Sequence, residues 1–252
     1  MTNSLAAPDT LPVYSRENPS SRYTELLSLY TQHHSSGDTK SWSSKKTVYP
    51  GKSLWPFLGF IHSLCRRHNI ETLLDYGAGK GMQYTNLCVK EAGKLKVYPS
   101  VPKYWGVNVT CYDPANPRFN ILPEGRFDAV ISTDVLEHCP EEDLRWIIGE
   151  FFAKAKKCVF ANIACYPAQT ILPNGENAHA TIKPPEWWQS LVEEVASAYP
   201  DIKYYFVATP DKTQFGTLIT NDTKPLEYAA VGALPGNVFQ AWVSLIVQKL
   251  KR

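Results

Sequence analysis

The stretch DYGAGKG, residues 75–81, sets an acid, Asp75, two positions ahead of three glycines spaced two apart, Gly77, Gly79 and Gly81, with Ala78 between the first pair. Glycine backbones take positive φ and let a ligand approach to van der Waals distance. A plain tight turn needs one glycine, so three point to a binding turn. The segment lacks the Lys-Ser/Thr ending of a phosphate loop, and its G-x-G-x-G spacing is not the G-x-G-x-x-G of a dinucleotide fold. A second acid, Asp113, ends NVTCYDP, and a carboxylate there can accept hydrogen bonds from both hydroxyls of a ribose. The plainer role for Asp113 is a strand-end turn with Pro114.

Titratable groups cluster in two further places. FDAVISTDVLEHCPEEDL carries Thr133, Asp134, Glu137 and His138 just after an apolar run. LPNGENAHATIKPPEWWQSL carries Asn174, Glu176, Asn177 and His179 before a helix that starts at Pro184 and Pro185. A hydroxyl nucleophile needs a base, and His138 and His179 are the two candidates. Each also has a structural reading, as a helix-start histidine bonded to the fold for His138 and as loop scaffolding for His179. Trp187 and Trp188 read as core and wall. No H-x-x-H or E-x-x-H spacing marks a metal site among Glu137, His138 and His179, so no metal is expected.

Short apolar runs alternating with helical stretches must position these groups, which is the pattern of a mostly parallel sheet covered on both faces. Strands are expected at residues 72–77, 108–113, 127–133, 157–163, 203–209 and 241–250. Helices are expected at 82–93, 140–156 and 184–199. The segment 94–107 reads as an insertion, and 115–125 shows no evident strand. With only a Pro- and Gly-containing loop from 209 to 237, the last strand returns like a hairpin and makes one edge antiparallel. Upstream, 1–20 reads as a flexible tail. Residues 21–70 read as an N-terminal helical cap, with Tyr23, Leu26, Leu27 and Tyr30 at helical spacing and Pro56 in a helix's first turn. The domain proper is 71–252.

The 252 residues hold 26 basic and 24 acidic side chains, a net charge of +2, and are 44% apolar. A full core is affordable, and the near-neutral balance argues against a nucleic-acid footprint. The six cysteines form no C-x-x-C pair. No secretory leader and no apolar run near the roughly 18 residues that span a bilayer is evident, so a cytoplasmic chain without a membrane partner is expected.

With its acid, one residue, then G-x-G-x-G, the turn resembles the first motif of the class I S-adenosylmethionine-dependent methyltransferases, and FDAVISTDVLEHCPEEDL resembles their fourth strand and following helix. The likeness is strong over 71–163, moderate over 179–191 and slight over the first 45 residues. It implies a Rossmann-like doubly wound α/β fold and S-adenosyl-L-methionine as cofactor. Gly77, Ala78, Gly79 and Gly81 would wrap its methionine part and ribose, while Asp75 organises the turn and the sulfonium side. Asp113 would take the ribose hydroxyls, and Thr133 and Asp134 the methionine amino group or the substrate. One departure is the lack of an acid before Glu124 after the second strand, which leaves adenine to backbone groups and Ile121 or Leu122. Lys45, Lys46 and Tyr49 are candidate contacts to the cofactor's carboxylate. The loop holding His179 resembles one that closes over substrate in small-molecule and sugar methyltransferases. The expectation is methyl transfer to a small-molecule or sugar-linked hydroxyl or amine. The alternatives are a nucleic-acid or protein methyltransferase, a nicotinamide enzyme and a non-catalytic cofactor-binding scaffold.

Overall fold

Neighbouring side chains of β1 (Thr72–Tyr76) belong to different cores, because alternate residues of a strand face opposite sides of the sheet. Leu73 joins one cluster and Leu74 the other. The computed structural model describes residues 13–36, 51–84, 87–91, 94–211, 216–224 and 226. Around β1 lie β4 (Asn108–Tyr112), β5 (Phe127–Thr133), β6 (Ala155–Ala164), β7 (Lys203–Thr209) and β8 (Thr217–Thr220), in the order β4-β1-β5-β6-β7-β8. All pairings are parallel except that of β8 with β7.

Helices cover both faces. On one, α4 (Leu144–Lys154) and α5 (Pro185–Ala196) bury Ile148, Phe151, Phe152 and Trp188 against Leu74, Val130, Val159 and Phe206. On the other, α2 (Leu58–Arg67) and α3 (Val101–Trp105) bury Leu58, Ile61, Leu64 and Trp105 against Leu73, Ile131, Phe160 and Tyr205. The architecture is the Rossmann-like α/β sheet with an antiparallel last strand.

Several elements differ from expectation. No helix follows the glycine turn at 82–93. The chain instead turns and forms the antiparallel hairpin of β2 (Leu87–Glu91) and β3 (Lys94–Tyr98). LCVKE at 87–91, inside the helical reading, pairs with KLKVY at 94–98, whose polar and apolar residues alternate with period 2, and that pairing prevails over the helical spacing. The antiparallel edge strand is Thr217–Thr220, inside the segment read as a loop, because Thr217–Leu218–Ile219–Thr220 pairs with β7 from Ala208 back to Tyr205. The strand expected at 241–250 lies outside the described residues, as do Lys45, Lys46 and Tyr49. No strand forms in 115–125.

The described part of the expected tail is docked. Arg16 donates from Nε to Glu150 Oε1 at 2.6 Å, and to the hydroxyls of Tyr112 at 2.8 Å and Tyr76 at 2.9 Å. Ser20 bonds the buried Asp143 through its backbone N–H, and its side-chain oxygen accepts from Tyr23 N–H, which caps α1 (Ser21–Ser36). Of the expected cap, α1 lies on the loop region through Leu26, packed with Leu172 and Ala178, whereas α2 is part of a helical layer. Among the described residues no helix is long and apolar enough to cross a membrane.

Candidate functional site

Chain order places β4 on one side of β1 and β5 on the other, so the carboxyl end of β1 is a point where the sheet's winding reverses. Open α/β sheets bind ligands in such crevices. Asp75 near the end of β1, Asp113 just past β4 and Asp134 just past β5 are brought together there by registers that pair Tyr76 with Tyr112 and Asp75 with both Cys111 and Ile131.

The glycine turn sits directly on this edge. Gly77, Gly79 and Gly81 all have positive φ, at 87°, 57° and 65°. At Gly77 the space is closed as well, since a Cβ would lie 2.3 Å from Val135 Cγ2. Val135 belongs to the loop after β5, so this contact locks the two halves of the site together. The N–H groups of Gly77 and Ala78 both donate to the Tyr112 carbonyl, at 2.8 and 3.0 Å.

Asp75 is 1% exposed. Its Oδ2 accepts from Gln83 Nε2 at 2.9 Å and Tyr84 Oη at 2.6 Å, while Oδ1 has no partner. Burial pushes its carboxyl up to about 6, against the pull of those two hydrogen bonds. Asp113 is tied to the turn, with Oδ2 accepting Gly79 N–H at 2.7 Å and Oδ1 accepting Ala115 N–H at 2.9 Å. Asn116 Nδ2 reaches back to the Gly79 carbonyl at 2.5 Å. Burial raises Asp113 to about 6 as well. A carboxylate has about four lone-pair directions, so Asp113 keeps accepting capacity beyond its backbone N–H partners.

The second half of the site is the loop from Asp134 to His138, met by α1 and by the loop after β6. Thr133 is buried, and Asp134 is exposed with φ at +61°, an unusual backbone for a residue with a Cβ. His138 Nδ1 lies 2.8 Å from the Ala178 carbonyl and 2.8 Å from Tyr30 Oη of α1. His179 Nδ1 lies 2.5 Å from the Tyr166 carbonyl. A carbonyl only accepts, so each Nδ1 carries its proton and each Nε2 keeps a lone pair. The two rings meet edge to face with centroids 4.8 Å apart. Burial lowers His138 from its ordinary value, the charge of Asp134 opposes this, and His179 adds to it. Glu137 is fully buried. Its Oε1 accepts Ala164 N–H at 2.6 Å and its Oε2 has no partner. Burial, then the charge of Asp134, pushes its carboxyl well above the usual carboxylate range.

The polar residues around His179 divide by role. Asn177 clamps both N–H and C=O of Ala168 and accepts His179 N–H, Asn174 accepts Glu176 N–H, and Glu176 pairs with Arg22. These three scaffold the loop, and His179 is the group they hold in place. Trp188 is core and Trp187 stands edge-on against it. Ile121 is 84% exposed, and the apolar side chain that reaches the turn is Phe119, about as close as ordinary contact allows to a Cβ at Gly81.

Several residues of the site gave no sign in the sequence: Gln83 and Tyr84 beneath Asp75, Asn116 and Phe119 beside the turn, and Tyr30 on His138. Gln83 and Tyr84 fall where a helix was expected, and the others act across long separations. Four of the six orphaned buried side-chain atoms among the described residues lie here, the other two being the indole nitrogens of Trp55 and Trp188. Asp75 Oδ1 and Gln83 Oε1 lie by the turn, and Glu137 Oε2 and Asn162 Oδ1 by the Asp134 loop, whose backbone N–H donates to the Asn162 carbonyl. Buried polar atoms without partners are rare and mark places where a ligand supplies the missing bond. Compared with family models and with curated proteins, the chain matches none, and its functional reading rests on its own residues.

Proposed function

We propose that the chain is an S-adenosylmethionine-dependent methyltransferase acting on a small-molecule or sugar-linked acceptor. The observation that carries this reading is the pairing of a buried, half-unpaired Asp75 with a three-glycine turn whose Gly79 is held by Asp113, at the carboxyl ends of adjacent parallel strands. These residues fit the cofactor: a positive-φ turn would pass it, Asp113 would accept from its ribose hydroxyls, and Asp75, with one oxygen unpaired, would favour its cationic side. When bound, S-adenosylmethionine supplies a methyl group on a cationic sulfur.

The chain's own part is to align and to handle one proton. Holding acceptor and methyl group in line converts an encounter into a unimolecular step. His138 and His179 are braced through Nδ1 by the Ala178 and Tyr166 carbonyls, which leaves the Nε2 lone pair of each for an acceptor. A neutral imidazole there can accept a hydroxyl proton or orient the hydroxyl. Asp134, exposed at the same edge, completes the polar wall.

Calorimetric titration with S-adenosylmethionine, S-adenosylhomocysteine and NADH tests the proposal. Micromolar binding of the first two and none of NADH is the expected result. Binding of NADH alone would convert the site to a nicotinamide one, and binding of none would leave a scaffold.

A further inference from the structure

The groups facing the acceptor side have a composition that a proton-handling role does not use up. Asp134, His138 and His179 each offer one ligand atom, and the three atoms lie within 4.8 Å of one another. Two ligand atoms on one transition-metal ion at about 2.1 Å stand roughly 3.4 Å apart in a tetrahedron and about 4.2 Å apart when opposite. The observed spread therefore needs only a modest closing, and Asp134, the exposed member, is free to make it.

Other observations point the same way. Both histidines are already prepared as ligands, since a metal-binding imidazole keeps Nε2 bare by donating Nδ1–H to a fixed acceptor, commonly a backbone carbonyl. Here the acceptors are Ala178 and Tyr166. Glu137, fully buried beside Asp134, turns an oxygen with no hydrogen-bond partner into the fold, and Asn162 Oδ1 behind the same loop is likewise unpartnered.

We infer that Asp134, His138 and His179 bind one divalent transition-metal ion of the zinc class, with Glu137 supporting Asp134 from behind. Two imidazoles and one carboxylate leave at least one position open, the mark of a catalytic rather than a structural site. Imidazole donors favour zinc and its neighbours over magnesium. This deepens the methyltransferase reading and rests on it in one respect: the open position would hold the acceptor's oxygen, which makes the acceptor a hydroxyl compound, because a cation binds a hydroxyl oxygen and eases loss of its proton.

The test uses the full chain, stripped with a chelator and titrated with Zn2+ by calorimetry and with Co2+ by visible absorption. A single equivalent bound, with the visible bands of nitrogen-coordinated Co2+, is expected. Asp134→Asn and His179→Ala should each weaken binding by about tenfold or more, the scale on which even supporting groups of a metal site act. Asn adopts positive φ readily, so Asp134→Asn keeps the loop's backbone. A single cooperative thermal unfolding transition close to that of the unaltered chain shows that each variant is folded. Absence of Co2+ bands, or wild-type metal affinity in both variants, overturns the inference and leaves the cofactor reading standing. Metal bound at these residues by a chain that ignores S-adenosylhomocysteine upholds the site and sinks the methyltransferase.

Discussion

A carboxylate buried for function is a liability to the fold, and Asp75 shows it. Its pKa of about 6, against an ordinary 3.8, means that the folded chain holds this proton more tightly than the unfolded chain between those two values. Stability therefore falls as pH rises from 3.8 to 6 and stays at the lower level above, a difference of about 2–3 kcal/mol for two units. Asp75→Asn removes the charge and keeps an oxygen for Gln83 and Tyr84. The variant should be more stable by about 1–2 kcal/mol near pH 8, with the gap closing towards pH 4, and should bind S-adenosylmethionine more weakly. Urea unfolding at the two pH values reads the first part, and a gap independent of pH would assign the effect to something other than the charge. Gly77 is bound by geometry in a different way. Gly77→Ala meets both a φ of 87° and the Val135 methyls, and should cost about 2–4 kcal/mol. Val135→Ala in the same chain deletes the methyls and should return part of that loss, measured by thermal unfolding of both variants. No recovery would leave φ as the whole cause.

Elements were legible from sequence where one period ran unbroken. β1, β4, β5, β6 and β7 each carry an apolar run bounded by turn residues, and α4 and α5 each repeat apolar residues at helical spacing behind a proline. Legibility failed at 82–98, where two short strands, the second with Lys94 and Lys96 alternating against Leu95 and Val97, look like a helix followed by an insertion when their pairing is not seen. It failed again at β8, only four residues long. In the site, the glycine turn and Asp75 could be read because their spacing is local, and Asp113 because it ends the apolar run of the next parallel strand. The gathering of Asp134, His138 and His179 could not, because His179 arrives from a loop after the next strand. The same limit hid Arg16, which ties α4, β1 and β4 together from a segment of Pro, Ser and Asn. Arg16→Ala strips Glu150 of its paired charge in a partly buried place, and should cost about 2–3 kcal/mol. Because Ser20 and α1 follow directly, hydrogen exchange should quicken in 21–36 before it does in β5. Uniform quickening would mean that the arm and the sheet unfold as one unit.

Across the whole molecule, the acids at the binding edge and His138 opposite respond to pH in contrary senses. Asp75 and Asp113, both raised to about 6, add stability as pH falls from 6 to 3.8. His138, lowered below its ordinary value, withdraws stability as pH falls below about 6.5, where the unfolded chain takes up a proton that the folded chain refuses. The slope from His138 runs against that from the two carboxylates. Ligand binding acts on the carboxylates. Hydroxyls donated to Asp113, and a cationic sulfur near Asp75, favour the ionised carboxylates and draw both values down. Binding then expels protons where the free acids still hold them, so affinity rises as pH climbs through about 6 and levels off above. Titrating S-adenosylmethionine near pH 6 in two buffers of different ionisation heat should show net proton release, approaching about half a proton per carboxylate, with little release near pH 8. S-adenosylhomocysteine lacks the positive charge and should release fewer protons, because Asp113 still gains its hydroxyls while Asp75 gains no cation. Equal release by the two ligands would place the sulfur away from Asp75 and require the cofactor to lie in the turn in another orientation.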